Sequence, residues 1–155
     1  MEIIFTDTTN KPLTLDEFKA YITETSSHRD NELSIMLDTA TKKVEEHCNI
    51  SLADHDITLI QERKKAYQKL YYRPVSEVVS VVDDSNTALT FTADARNRKI
   101  TLDYASEMTV TYKTTAQVEE KHKQAILDYA TLLYSGSTDN IEYMNVLRNC
   151  QNTLL

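Results

Sequence analysis

The chain has 155 residues, 41% of them hydrophobic and 26% charged, with a formal net charge of −7. That length and balance predict one folded domain around one core, too apolar for a disordered chain. No apolar run approaches the roughly 18 to 20 residues of a membrane span. The opening Met1-Glu2-Ile3-Ile4-Phe5-Thr6-Asp7 lacks the basic start and long apolar stretch of a secretion signal, so a cytosolic chain without a removed leader is expected.

The first predicted element is a short helix over Leu13 to Ile22. Thr14 and Glu17 have capping-box spacing, and Leu13 and Phe18 stand where a hydrophobic staple would put them. A second helix follows Ser26-Ser27-His28-Arg29, because Leu33, Met36, Leu37, Ala40 and Val44 recur at spacings of three and four; it runs to about Cys48. Lys42, Lys43, Glu45 and Glu46 fall largely on its opposite, solvated side.

From Ile57 the period becomes two. Ile57/Leu59, Leu89/Phe91, Ile100/Leu102/Tyr104 and Met108/Val110/Tyr112 predict strands with one buried face. Pro74 disfavours a helix at Arg73 and marks the entrance to a strand over Val75 to Val82, and Asp83-Asp84-Ser85-Asn86 and 94–97 are polar turn clusters. Short spacings of this kind make an antiparallel meander. The helical period returns at Val118, Ala125, Ile126, Tyr129, Ala130 and Leu133, with Thr114 and Gln117 at capping-box spacing before it. Gly136 terminates that helix, and a further helix over Ile141 to Arg148 carries an apolar tail ending at Leu154-Leu155. The fold class is therefore α+β: a helical bundle of N- and C-terminal helices with a central antiparallel β meander. It is read as a single domain over residues 1–155, with its core in 13–134 and a C-terminal helix or arm in 139–155.

The chemistry on offer is thin. One glycine in the chain, Gly136, excludes the Gly-rich loops that bring backbone close to phosphate. Cys48 and Cys150 lie far apart in sequence and form no C-x-x-C pair, which favours buried free thiols over a zinc site or a disulfide framework. His47, Cys48, Asp54, His55 and Asp56 are the densest group of potential ligands, of which only His47, Cys48 and His55 suit zinc; a helix end followed by a polar turn accounts for them. His122 has Glu119 three residues before it, a surface pair rather than a catalytic one. No G-x-S-x-G elbow or other active-site constellation is present, so no catalytic, cofactor or metal residue is assigned.

Charge is unevenly spread. Residues 1–60 carry five basic and twelve acidic side chains, residues 61–115 nine and seven, and residues 116–155 three and five. The densest basic stretch contains Arg63, Lys64, Lys65, Lys69 and Arg73, interleaved with Tyr67, Tyr71 and Tyr72. It could contact nucleic acid through phosphates and stacking, form a solvated strand face, or meet an acidic helical surface on another copy.

The order of these elements carries a resemblance. A capped segment Leu13 to Ile22, the helix start Asp30-Asn31-Glu32-Leu33, the strand Pro74-Val75-Ser76-Glu77-Val78-Val79-Ser80-Val81, the strand Thr109-Val110-Thr111-Tyr112 and the helix Gln124-Ala125-Ile126-Leu127 occur in sequence. This resembles the head-tail connector (adaptor) proteins of long-tailed bacteriophages, a family also known as phage DNA-packaging proteins, over roughly Leu13 to Tyr134. Lys113-Thr114-Thr115 replaces a glycine that family members tend to carry after the last strand, and Ser135-Gly136 replaces an Arg-Glu pair after the late helix.

The resemblance implies a structural virion protein: a homo-oligomeric ring, a dodecamer, docked to the portal protein at one capsid vertex. It would join the portal to a stopper or tail protein and extend a channel through which DNA passes without sequence-specific binding. Its location would be the virion neck, and the host cytoplasm during assembly. In that picture Arg63, Lys64, Lys65, Lys69 and Arg73 are subunit-contact candidates, and Ile141, Met144, Leu147 and Leu154 are anchors of a portal-binding arm. A tail-completion or stopper protein of the same neck, and a small nucleic-acid-binding module, are the alternatives.

Overall fold

In a computed structural model describing residues 1–94 and 96–150, the chain is α+β, with four helices and a five-stranded antiparallel sheet among the described residues. Among the described residues, 1–11 and 53–117 form one compact unit and 12–52 and 118–150 a second.

The sheet unit contains β1 (Glu2–Thr9), β2 (Asp54–Lys69), β3 (Val75–Val82), β4 (Phe91–Ala93) and β5 (Lys99–Thr114). Its order is β1-β2-β5-β3, with β4 paired to β5, and every pairing is antiparallel, so β5 lies between β2 and β3. Register places Ile57 opposite Tyr112 and Leu59 opposite Val110, with Val81 beyond Val110 on β3. All five side chains are buried, joined by Ile100, Leu102 and Met108 in one apolar cluster. Each buried aliphatic side chain of this kind contributes about 1.5–3 kcal/mol relative to exposure.

β1 is an element that the period-two reading passed over. It pairs with β2 from Glu2 opposite Ile60 to Thr9 opposite Asp54, with a register shift between Phe5 and Asp7. Ile3 and Phe5 are only half-buried, so the apolar signal is weak. Asp54 ties the ends of this unit together: its carboxylate accepts from the Ala116 amide at 2.8 Å and from Asn10. The two polar turns share one device. Asp83 accepts from the amides of Ser85 and Thr87, and Asp94 from those of Arg96 and Arg98, while Asn86 and Asn97 take the left-handed conformation that asparagine tolerates.

The helical unit contains α1 (Leu15–Tyr21), α2 (Asp30–Cys48), α3 (Glu120–Tyr134) and α4 (Asn140–Cys150). Thr14 caps α1 by accepting the Glu17 amide at 3.1 Å, and Leu13 and Phe18 are both buried beside it, as the spacing predicts. Leu33, Leu37, Ala40 and Val44 of α2 pack in one cluster with Ala125, Ile126, Tyr129 and Ala130 of α3. Lys19 holds the start of α2 through a 2.7 Å ion pair with Asp30.

Two local readings change. The start of α3 belongs to Glu119 and His122: the Glu119 amide donates to His122 Nδ1 at 3.0 Å. Thr114 instead ends β5, because its neighbours are already committed to the ladder, and Gln117 and Val118 lie in the connection. Glu45 is buried rather than solvated, 2% exposed, because its carboxylate turns back to accept the Leu52 amide at 2.8 Å and so holds the chain after α2. At the far end of α3 the expected stop is present. Gly136, at φ +72°, donates to the Leu133 carbonyl and Ser137 to that of Leu132, a Schellman closure.

Candidate interaction surfaces

β2 and β5 are each 16 residues long, but only parts of them serve the core. From His55 to Gln61 alternate residues of β2 are buried; then Glu62 to Tyr67 are exposed without a break. Alternation requires one covered face, so six consecutive exposed residues mark a stretch where the strand has left its apolar support. Register slips there twice, between Gln61 and Lys65 and between Lys65 and Tyr67. On β5 the matching stretch is Asp103 to Ala105, also exposed; Tyr104 is 64% exposed, and here the structure departs from the expected buried alternation Ile100/Leu102/Tyr104.

Arg63, Lys64, Lys65, Lys69 and Arg73 are all exposed, and none of the five forms an ion pair with another described residue. Tyr67, 53% exposed, lies under the Lys99 ammonium at 5.6 Å. At the root of this stretch the Gln61 side-chain amide donates to Gln68 at 3.0 Å, a buried polar pair closing off the sheet core. Arg63, Lys64 and Lys65 thus stand exposed on a bulged ribbon with no buried face, beside the exposed Tyr67 and Tyr104.

The C-terminal helix divides its predicted anchors. Ile141 is 70% exposed and Met144 41%, whereas Leu147, at 8%, is turned into the helical core with Cys150. Leu147 and Cys150 are three residues apart on one helical face, which is why that side is inward. Leu154 lies outside the described residues. The helix is fixed by Asp139, which accepts the Ile141 amide at 2.9 Å, and by Tyr143, whose hydroxyl donates to the Ser137 carbonyl at 2.7 Å while its ring meets Tyr129 at 4.8 Å.

Of the potential zinc ligands, His55 and Cys48 are engaged elsewhere, and the buried His47 Nε2 has no hydrogen-bond partner among the described residues. His55 stacks on Phe5 at 4.5 Å and shares a 2.9 Å hydrogen bond with Thr8, while Cys48 faces Cys150 with 3.3 Å between the sulfurs. Among the described residues no group of three or more His, Cys, Asp or Glu side chains could hold a metal ion. His122, expected in a surface pair, is 4% exposed; burial, then the neighbouring Lys121, pull its pKa below the ordinary histidine value. Asp54 is held below the usual carboxylate range, chiefly by the Ala116 amide and then by Asn10. The Cys48 and Cys150 pair was not legible in sequence, since 102 positions separate them and each is a single apolar-face residue near a helix end.

No protein-family model and no curated protein matches this chain. Solved structures do. A chain in the virion of a native gene transfer agent (GTA) particle aligns with a TM-score of 0.69 at 13% identity, over 100% of this chain and 97% of its own. A chain in the neck of the empty GTA particle, computed with C6 symmetry, gives 0.69 at 15% identity with the same coverage. One in the neck of the native particle, computed with C12 symmetry, gives 0.66 at 16%, again with that coverage. The shared property is the fold, end to end. No helix among the described residues is long and apolar enough to cross a membrane.

Proposed function

We propose that the chain is a structural subunit of the neck of a tailed, phage-like particle, located in the virion and in the host cytoplasm during assembly. One observation carries this reading: the fold matches, over its whole length, chains of a particle neck computed with C6 and C12 symmetry. Both helical and sheet parts are included in that match, so it does not rest on a common submotif.

In this role the chain forms a closed ring joining the portal protein to a stopper or tail protein, and DNA passes through without sequence-specific binding. A ring of identical subunits needs two different, complementary surfaces on each copy, because its contacts are heterologous. The charge distribution supports such a pair. The helical unit carries seven basic and thirteen acidic side chains, and the sheet unit ten and eleven, with Arg63, Lys64, Lys65, Lys69 and Arg73 exposed together. The exposed Ile141 and Met144 are the described part of the portal-facing arm. The function is structural rather than enzymatic.

Negative-stain imaging of the chain mixed with its cognate portal is expected to show a collar beneath the portal. Free monomers beside bare portals would remove the connector role. A ring that binds the tail side alone would assign the chain to the stopper or tail-completion layer.

A further inference from the structure

We propose that Cys48 and Cys150 form a disulfide-forming site that reacts with low-molecular-weight disulfides and locks α4 to the end of α2. The two sulfurs are 3.3 Å apart, and the S–S bond of about 2.05 Å asks them to close by roughly 1.3 Å. Both residues end their helices, Cys48 as the last residue of α2 and Cys150 as the last of α4, where small shifts are cheapest. Leu147, one turn before Cys150, is buried in the helical core and holds α4 in this register.

The two thiols are not equivalent. Cys48 is partly exposed and Cys150 is buried, its Sγ 2.9 Å from the Leu147 carbonyl oxygen and 3.3 Å from Cys48 Sγ, so its one S–H proton turns from the carbonyl to the sulfur once Cys48 is ionised. A hydrogen bond from Cys150 favours the Cys48 thiolate, with Lys121 a weaker aid, and the Cys150 thiol is correspondingly pushed up. This sets the order of reaction. The Cys48 thiolate attacks one sulfur of a disulfide RSSR, forming Cys48–S–S–R and releasing one thiolate. Cys150 then loses its proton and attacks Cys48 Sγ, forming the Cys48–Cys150 bond and releasing the second thiolate. Two protein thiols are oxidised and one RSSR is reduced to two RSH.

The bond closes a loop of about a hundred residues, a span over which chain-entropy stabilisation is large. Disulfides persist outside cells and are rare in reducing cytosol. On the neck reading proposed above, the pair is therefore reduced while the particle assembles and is oxidised after release. That timing rests on the neck role; the thiol chemistry does not.

The test uses the purified full chain, folded, with glutathione disulfide as the probe. Expected are loss of both free thiols, a tryptic peptide linking Cys48 to Cys150, no retained glutathione, and a melting temperature raised on the order of 10 °C that dithiothreitol reverses. Cys150→Ala should retain glutathione on Cys48, and Cys48→Ala should react at least about tenfold more slowly, because only the buried thiol remains. A folded wild-type chain that keeps both thiols, accumulates a stable glutathione adduct, links only between chains, or melts no higher once linked overturns the proposal. Portal binding is not read in this experiment, so its outcome is separate from that of the neck reading.

Discussion

The helical unit uses its polar side chains on itself, whereas the sheet unit leaves the cations of β2 without an ion pair to any described residue. In the helices Thr14, His122, Asp139 and the buried Glu45 each hold a backbone amide that would otherwise lack a partner. On β2, Arg63, Lys64 and Lys65 make no ion pair with a described residue, on a stretch where the register slips and both faces are exposed. Polar groups with intramolecular partners contribute to stability; exposed charges contribute little to it and are free to act on association.

The largest expected effect breaks the comparison at the ribbon. Replacing Arg63, Lys64 and Lys65 together by glutamate should abolish ring formation on the portal while shifting the unfolding free energy by less than about 1.5 kcal/mol, at most about 0.5 for each surface substitution. Sedimentation with portal and a urea melt measure the two. A ring that survives the reversal removes the ribbon from the subunit contact, and retention on DNA lost with the same charges would favour the nucleic-acid reading. The converse experiment is Glu45→Ala. It leaves the Leu52 amide buried without its acceptor and should cost about 1.5–3 kcal/mol in the same melt.

A smaller effect is expected at Gly136. Its backbone lies at φ +72° and an added Cβ would meet nothing within 4 Å, so Gly136→Ala tests backbone strain alone. The cost should be about 1–2 kcal/mol, read from a urea melt. A loss near zero would mean that the Schellman closure relaxes without penalty.

These differences between the units explain how much was legible in sequence. The helices of the second unit were, because Leu33, Leu37, Ala40 and Val44 repeat a face that is buried along its length and because Thr14 and Gly136 are local signals. Strands were legible where core covers one face, as at Ile57/Leu59 and Met108/Val110/Tyr112. Between Gln61 and Gln68 no period exists to be read, since the ribbon has no buried face. β1 hid for a related reason: Ile3 and Phe5 are half-covered, and Thr6, Asp7 and Thr8 interrupt them. The basic ribbon was visible as five basic residues in a short stretch, but its two-sided exposure needed the register. The candidate anchors of α4 were visible as apolar residues, and only packing separates Leu147, which faces the core, from Ile141 and Met144, which do not. The start of α3 was ambiguous because Thr114-x-x-Gln117 imitates a capping box; the ladder from β2 to Thr114 decides against it.

His122 offers the finest test of how tightly the helical unit uses its polar groups. Nδ1 accepts the Glu119 amide, so that nitrogen is unprotonated in the folded chain, and burial further disfavours the charged ring. Its folded pKa is therefore below the unfolded value near 6.5. The unfolded chain takes up a proton first as pH falls, so the stability that neutral His122 supplies is complete above about pH 6.5 and is lost as pH drops from there through the folded pKa. His122→Gln keeps an acceptor for the Glu119 amide and cannot be protonated. Wild type and variant should match closely at pH 8, and wild type should lose stability relative to the variant as pH falls below about 6.5, measured by urea melts at each pH. Parallel curves would mean that the ring swings out to solvent at little cost when charged, and that the α3 cap is looser than the Thr14 and Asp139 caps of the same unit.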